Sequence, residues 1–263
     1  MEDPQVRAED NLYALSKIEY IGRGFVMGPS KDAKHLAQIY WLEGRSENSR
    51  NRVLTADGGR VFTEAADPTK VKDPSLIIYN AMNEADGNFI VSNGDQTDAV
   101  LEELRNRWYR WPWRKRGWHR FLQAVEKHTY EPDKPNFTSR ITGICSLEPV
   151  RLVGVSVLRK ADWNHSCIPF HSRYSSLPHG IGVCVTTYSG QPIIEEGGGL
   201  PPYRGEPLLM PLVGDMKTLA RTYWDMLNAN NRVALVVKFI DQTTRTSQVH
   251  IINKYAKQLT IPC

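Results

Sequence analysis

IYWLEGRSENSRNRVL, residues Ile39 to Leu54, passes from an apolar run into a charged one and back again. Ile39, Tyr40, Trp41 and Leu42 read as a buried strand, Gly44 ends it, and Val53 and Leu54 resume the apolar pattern. The expectation is therefore strand, loop, strand, with the loop held at both ends. That loop carries Arg45, Arg50 and Arg52 together with Ser46 and Ser49. Planar guanidinium groups grip a phosphate bidentately, and serine hydroxyls and loop amides can fill its remaining oxygens, so the set fits an anion site. A solvated turn whose arginines pair with surface carboxylates fits the same residues.

Upstream, Tyr20 to Met27 reads as a first strand, and Gly22, Gly24 and Gly28 give it a superficial dinucleotide fingerprint. The third glycine is displaced and Pro29 stands where a helix should be running, so glycines that permit close strand or ligand approach are the better account. Downstream, strands are expected over Arg60 to Ala65, Leu76 to Met82 and Phe89 to Val91, with Asp67-Pro68 and Asp73-Pro74 as turn markers. Asp98 reads as the cap of a helix through Arg110, interrupted by Pro112, and a second helix is expected over Trp118 to His128. The strand pattern returns in RITGICSL, RLVGVSVL and GIGVCVTTY. A helix behind an Asp215 cap (Met216, Leu219, Ala220, Tyr223, Trp224, Leu227) follows, and then strands over Ala234 to Ile240 and Ser247 to Ile252. Strands in two blocks with helices between and after them predict stacked sheets flanked by helices, in a single domain spanning residues 1–263.

With 263 residues and 41% apolar content the chain can bury a substantial core. No apolar run approaches the roughly 18 residues that cross a bilayer, and MEDPQVRAED lacks a signal peptide's apolar middle, so a cytoplasmic protein with no membrane partner is expected. Cys145, Cys167, Cys184 and Cys263 show no paired spacing, and reduced thiols are the default. The net charge of +4 is smaller than the seven basic residues between Arg105 and Arg120, a stretch without an acid. The basicity is local, and the rest of the chain is mildly acidic.

Three further stretches follow the arginine loop in order: DPSLIIYNAM (Asp73 to Met82), VSNGDQTD (Val91 to Asp98), and TYEPDKPNFTSRITG (Thr129 to Gly143). With the Arg-Ser pair, the Tyr79-Asn80 pair at a strand end, the Ser92-Asn93-Gly94 turn with Thr97-Asp98, the Tyr130-Glu131 pair and Arg140-Ile141, the chain resembles the archaeal-type inosine monophosphate cyclohydrolase family. The resemblance covers Tyr20 to Gly143 by motif and the remainder by strand rhythm. It implies an α/β (α+β) fold of four layers, α-β-β-α, like that of the N-terminal-nucleophile hydrolases but used without such a nucleophile. It also implies closure of the purine ring of 5-formamidoimidazole-4-carboxamide ribotide to inosine monophosphate and water, with no metal or organic cofactor.

Carried over by position, the resemblance makes Glu131 the general base and acid, Tyr79 a hydrogen-bond donor or acid at the reacting centre, and Arg50 the stabiliser of negative charge there. Arg45, Ser46 and the backbone of Ser92, Asn93, Gly94 and Asp95 would hold the phosphate and ribose, and Asn80, Asn136 and Arg140 would orient the base. Each has a plainer rival: Tyr79 with its hydroxyl on a backbone carbonyl, Glu131 paired to Lys134 on the surface, SNGD as an ordinary turn. A sibling enzyme performing another amide condensation or ring opening, and a binding module that holds a nucleotide or nucleic acid, remain alternatives.

The run RNRWYRWPWRKRGWHR, Arg105 to Arg120, has no counterpart in the family pattern. Guanidiniums among indoles can stack on single-stranded nucleic acid. A packed cap or the interface of a homo-oligomer is preferred over nucleic acid because the rest of the surface is mildly acidic; a lid over the substrate is a third option. His165, Cys167, His171, His179 and Cys184 offer ligand atoms whose spacing matches no finger or ribbon, so no metal is expected. Glu195 and Glu196 before Gly197 to Gly199 mark a loop that folds over the site or simply lies on the surface.

Overall fold

Strand β2 (His35–Glu43) sorts its side chains between two faces: Leu36, Tyr40 and Leu42 enter one apolar cluster while Ala37, Ile39 and Trp41 enter another. The two-residue period of a strand sends alternate residues to opposite sides, so a strand with apolar residues on both faces must be covered on both. In the computed structural model, which describes residues 3–71, 74, 77–105, 116–148, 151–190 and 199–256, that is where β2 lies.

β2 sits inside a six-stranded antiparallel sheet. Its neighbours are β1 (Gly24–Pro29), β10 (Ile181–Thr186), β11 (Leu208–Pro211), β12 (Arg232–Asp241) and β13 (Ser247–Asn253), in the order β11-β10-β1-β2-β12-β13. A second antiparallel sheet runs in sequence order through β3 (Arg52–Asp57), β4 (Arg60–Ala65), β5 (Asn80–Ala85), β6 (Asn88–Ser92), β7 (Arg140–Ser146), β8 (Leu152–Lys160) and β9 (Cys167–Tyr174). Phe25, Tyr40 and Val236 of the first sheet pack on Val91, Ile141 and Val155 of the second, forming the central core.

Helices cover the outer faces. α1 (Pro4–Ser16) and α5 (Met216–Met226) lie on the first sheet, where Leu15, Leu219 and Tyr223 meet Val26, Ile39 and Leu235. α3 (Gln96–Arg105) and α4 (Arg116–Val125) lie on the second, where Val100, Leu101 and Phe121 meet Ile90 and Ile144. Among the described residues the layers thus run α-β-β-α, the α+β sandwich the sequence predicts. No helix of these residues is long and apolar enough to cross a membrane.

The glycines of the first strand serve packing. A Cβ on Gly24 would lie 2.2 Å from the Trp41 indole, and one on Gly28 would lie 2.3 Å from the Ile181 carbonyl oxygen. β1 begins at Gly24 and not at Tyr20, because Gly22 turns the chain at φ +74°. β5 likewise begins later than Leu76, a residue outside the described set: the amides of Ile77 and Ile78 both donate to Pro74 and close a turn before the strand. Asp98 does not cap α3. It stands in that helix's first turn and receives the Asn80 side-chain amide at 2.9 Å. Asp215 caps α5 as read, accepting from the Thr218 amide at 2.7 Å.

Within the Arg/Trp run, residues 106–115 lie outside the described set. Trp118 stacks on Phe121 with ring centroids 5.2 Å apart and lies against Gly154 of β8, while Arg120 donates to the carbonyls of Glu103 and Leu104 and so ties α4 to α3. Glu195, Glu196, Gly197 and Gly198 also fall outside the described residues.

Candidate active site

At one end of the sandwich the first sheet begins β1 and ends β2 and β10, while the second begins β5 and β7 and ends β6. Polar side chains are drawn into the apolar interlayer there. Arg23, one residue before β1, points the same way as Phe25 and Met27, into the space between the sheets. Its Nη2 meets Glu131 Oε2 at 2.7 Å and its Nη1 donates to the Asn93 carbonyl at 2.8 Å. Arg23 is 9% exposed and Glu131 3%, so the ion pair is essentially dry. A dry pair is costly to assemble and costlier still to break on one side only.

Glu131 precedes β7 on a segment fixed by its own bonds: its amide donates to the Thr138 carbonyl at 2.8 Å, and the Thr138 amide donates to Asp133 Oδ1 at 2.7 Å. The Thr138 hydroxyl also shares a proton with the Tyr188 hydroxyl of the opposite sheet's end. Burial raises the proton affinity of the Glu131 carboxyl above the ordinary carboxylate range, and the charge and hydrogen bond of Arg23 oppose that shift. Arg23 itself is held firmly protonated by Glu131, against its own burial.

Two hydroxyls lie within the field of Arg23. Tyr40 from β2 and Tyr79 from the residue before β5 share a hydrogen bond of 2.7 Å between their oxygens. This contact too joins one sheet to the other. Burial pushes the Tyr40 phenol well above its ordinary range, so it stays protonated and available as a donor.

The arginine loop divides. A short helix, α2 (Glu47–Arg50), occupies its centre, with Ser46 as cap: the Ser49 amide donates to the Ser46 hydroxyl at 3.2 Å and the Ser46 amide donates to the Ser49 hydroxyl at 3.0 Å. Arg45 is exposed and its guanidinium lies 4.7 Å from the centre of the Tyr20 ring. Arg50 donates to the Gly44 carbonyl at 2.9 Å and to Asn231 Oδ1 at 3.2 Å. Arg52 is buried and donates to the carbonyls of Ser49 and Glu43. The guanidinium brought to Glu131 is therefore Arg23, a residue the sequence reading did not single out.

The other expected residues are found at the same end. The Ser92 hydroxyl donates to the Gly94 carbonyl at 2.9 Å, and Asn93 Oδ1 accepts from the Ile141 amide at 2.9 Å, tying the turn after β6 to the start of β7. Arg140 spans to Asp95 at 2.5 Å and to Gln96 Oε1 at 2.8 Å, and its Nη1 would lie 2.7 Å from a Cβ on Gly94. Asn136 Oδ1 accepts from the Leu200 amide at 3.2 Å. Asn80 is engaged by Asp98 as described above. These groups form the frame around the Arg23–Glu131 pair, each bonded to a neighbouring residue.

A second carboxyl is buried close by. Glu43, the last residue of β2, accepts from the amides of Ile21 at 2.8 Å and Gly22 at 3.0 Å. Burial raises its pKa to about 8, although the amides of Ile21, Gly22 and Asn228 pull the other way. Among the described residues, no group of three or more His, Cys, Asp or Glu side chains is arranged to hold a metal ion.

A carboxyl of raised proton affinity, a fixed guanidinium and two paired phenols meet at one end of a two-sheet α+β sandwich, an arrangement that can move a proton beside stabilised negative charge. The chain belongs to the family described as IMP cyclohydrolase-like protein, which matches residues 20–244. An IMP cyclohydrolase of Methanothrix thermoacetophila is 33% identical over 89 residues, covering 33% of this chain and 42% of that relative.

Proposed function

We propose that the protein closes the purine ring of 5-formamidoimidazole-4-carboxamide ribotide, giving inosine monophosphate and water. The observation that carries this reading is the dry Arg23–Glu131 pair beside the Tyr40–Tyr79 hydroxyls, in a chain of this family. The carboxamide nitrogen is a feeble nucleophile, so its N–C bond to the formyl carbon forms only if a base takes its proton and the formyl oxygen's charge is stabilised. Glu131 takes that proton, its affinity raised by burial. Tyr79 and the Arg23 guanidinium hold the oxyanion, and Arg50 would join them only by leaving its present partners, the Gly44 carbonyl and Asn231. Glu131 then returns the proton, and the resulting hydroxyl departs as water with loss of the formamido N–H proton, leaving the ring C=N bond.

Arg45 and Ser46 at the exposed rim are proposed for the phosphate, with the Ser92–Asp95 turn at the ribose. Asn80, Asn136 and Arg140 would orient the base by exchanging their present partners for substrate atoms. No cofactor is required by this scheme. Purified protein incubated with the formamido ribotide is expected to produce a chromophore absorbing like hypoxanthine, and Glu131→Gln to remove that product while near-UV circular dichroism stays unchanged. Normal turnover by Glu131→Gln would take Glu131 out of the mechanism; no turnover by the wild type would end the reading.

A further inference from the structure

The turn that delivers Arg23 has no sheet partner for its own amides. Gly22 sits at φ +74° with no room for a Cβ, which would lie 2.2 Å from Thr187 Oγ1. The amides of Ile21 and Gly22 both go to one carboxylate oxygen of Glu43, and the amide of Arg23 goes to the Thr187 hydroxyl at 3.1 Å. Glu43 is 1% exposed, and the groups that favour its charged form are backbone amides: Ile21, Gly22 and, from the turn before β12, Asn228. Burying a carboxyl costs stability, and an apolar residue at the end of β2 would instead leave the Ile21 and Gly22 amides without an acceptor. Its retention has a consequence only in what it holds. Through its carbonyl the same residue also accepts from Arg52 at 3.2 Å.

We propose that Glu43 is a positioning residue for the reaction, fixing the Ile21–Gly22 turn so that the Arg23 guanidinium reaches Glu131. The proposal rests on the cyclisation reading for its kinetic part only. The charged side chains that share this corner with Glu43 and Tyr20 are Arg23, Arg45 and Arg52, all of which, with Glu43, bear on the Tyr20 phenol. Misplacing a reacting group by about 1 Å costs roughly a hundredfold in rate, so a loosened turn should be visible in kcat.

The test compares Glu43→Leu, which keeps the volume and loses the acceptor, with Glu43→Gln, which keeps an acceptor oxygen for the two amides. Two readouts are taken: the side-chain carboxyl titration of Glu131 by carbon NMR without substrate, and kcat and KM on the formamido ribotide. Glu43→Leu is expected to move the Glu131 titration to higher pH, because Arg23 withdraws, and to lower kcat about a hundredfold with little change in KM. Glu43→Gln is expected to recover most of both, and in an Arg23→Met background Glu43→Leu should add nothing further. Unchanged Glu131 titration in a folded Glu43→Leu protein, or effects that simply add to those of Arg23→Met, would overturn the proposal. If Glu43→Leu does not fold, the decision passes to the wild type: its Glu131 resonance should show a second inflection where Glu43 ionises, absent in Glu43→Gln, and a single inflection overturns the proposal. A wild type inert toward the ribotide, with the Glu131 titration still moved by Glu43→Leu, would remove the cyclisation reading and leave the positioning role standing.

Discussion

Arg23 and Glu131, 108 positions apart in the chain and carried by different sheets, meet at 2.7 Å as a buried ion pair. Arg23→Met should leave Glu131 buried without its counter-charge. Breaking such a pair on one side costs about 3–5 kcal/mol, measurable by denaturant unfolding. The lost guanidinium also removes what opposes the burial shift of Glu131, so the acid limb of the kcat/KM profile should move to higher pH. An unmoved acid limb would mean that another group sets it.

Tyr79→Phe deletes one member of the Tyr40–Tyr79 hydroxyl pair. If Tyr79 supplies a hydrogen bond to the forming oxyanion, kcat should fall about a hundredfold with KM nearly constant. Tyr40→Phe leaves the Tyr79 hydroxyl in place and should cost less. Equal losses for the two variants would argue for a shared structural part and against a donor role of Tyr79.

Glu43 links the site to stability against pH. Its pKa is about 8 in the folded protein against an ordinary 4.5, so the native state binds the proton more tightly than the unfolded chain does. The contribution is therefore fully present below pH 4.5 and is lost as pH rises toward about 8. Burial of Glu131 acts in the same direction. Wild-type Tm should decline across that interval more steeply than the Tm of Glu43→Gln, read by scanning calorimetry at matched ionic strength. Parallel curves would show that Glu43 ionises as readily in the folded state as in the unfolded one.

Gly28→Ala tests the packing account of the glycines. The added methyl would meet the Ile181 backbone at 2.3 Å, and a backbone carbonyl in a sheet cannot swing aside as a side-chain tip can. A loss of about 1–3 kcal/mol is expected in unfolding measurements, without a change in any residue at the active end. Unaltered stability would show that β1 and β10 can separate at little cost.

The strands were legible where the two-residue period was strong. β4 matches its expected Arg60–Ala65, and β7, β8 and β12 lie on their apolar runs. Four elements escaped, among them the four-residue α2 inside the expected arginine loop. α1 buries only Ala8 and Leu15 completely enough to leave a weak stripe, although Asp3 before Pro4 is a cap signal in plain view. β9 contains Pro169 and lies at a sheet edge, where alternation is blurred, and β11 is only four residues long. Glu131 and Tyr79 were found through short motifs that travel with a family. Arg23 was not, because its flanking glycines drew attention to the backbone, and because nothing local pairs a residue with a carboxylate more than a hundred positions away. A lone charge inside an apolar run was the available sign.

Because Arg23–Glu131, Arg23–Asn93 and Tyr40–Tyr79 all span the gap between the layers, neither sheet owns the chemistry. During refolding, far-ultraviolet ellipticity should return first, as each sheet knits its own ladders. Turnover should lag until the halves lock face to face, making catalysis itself the clock for that last docking step.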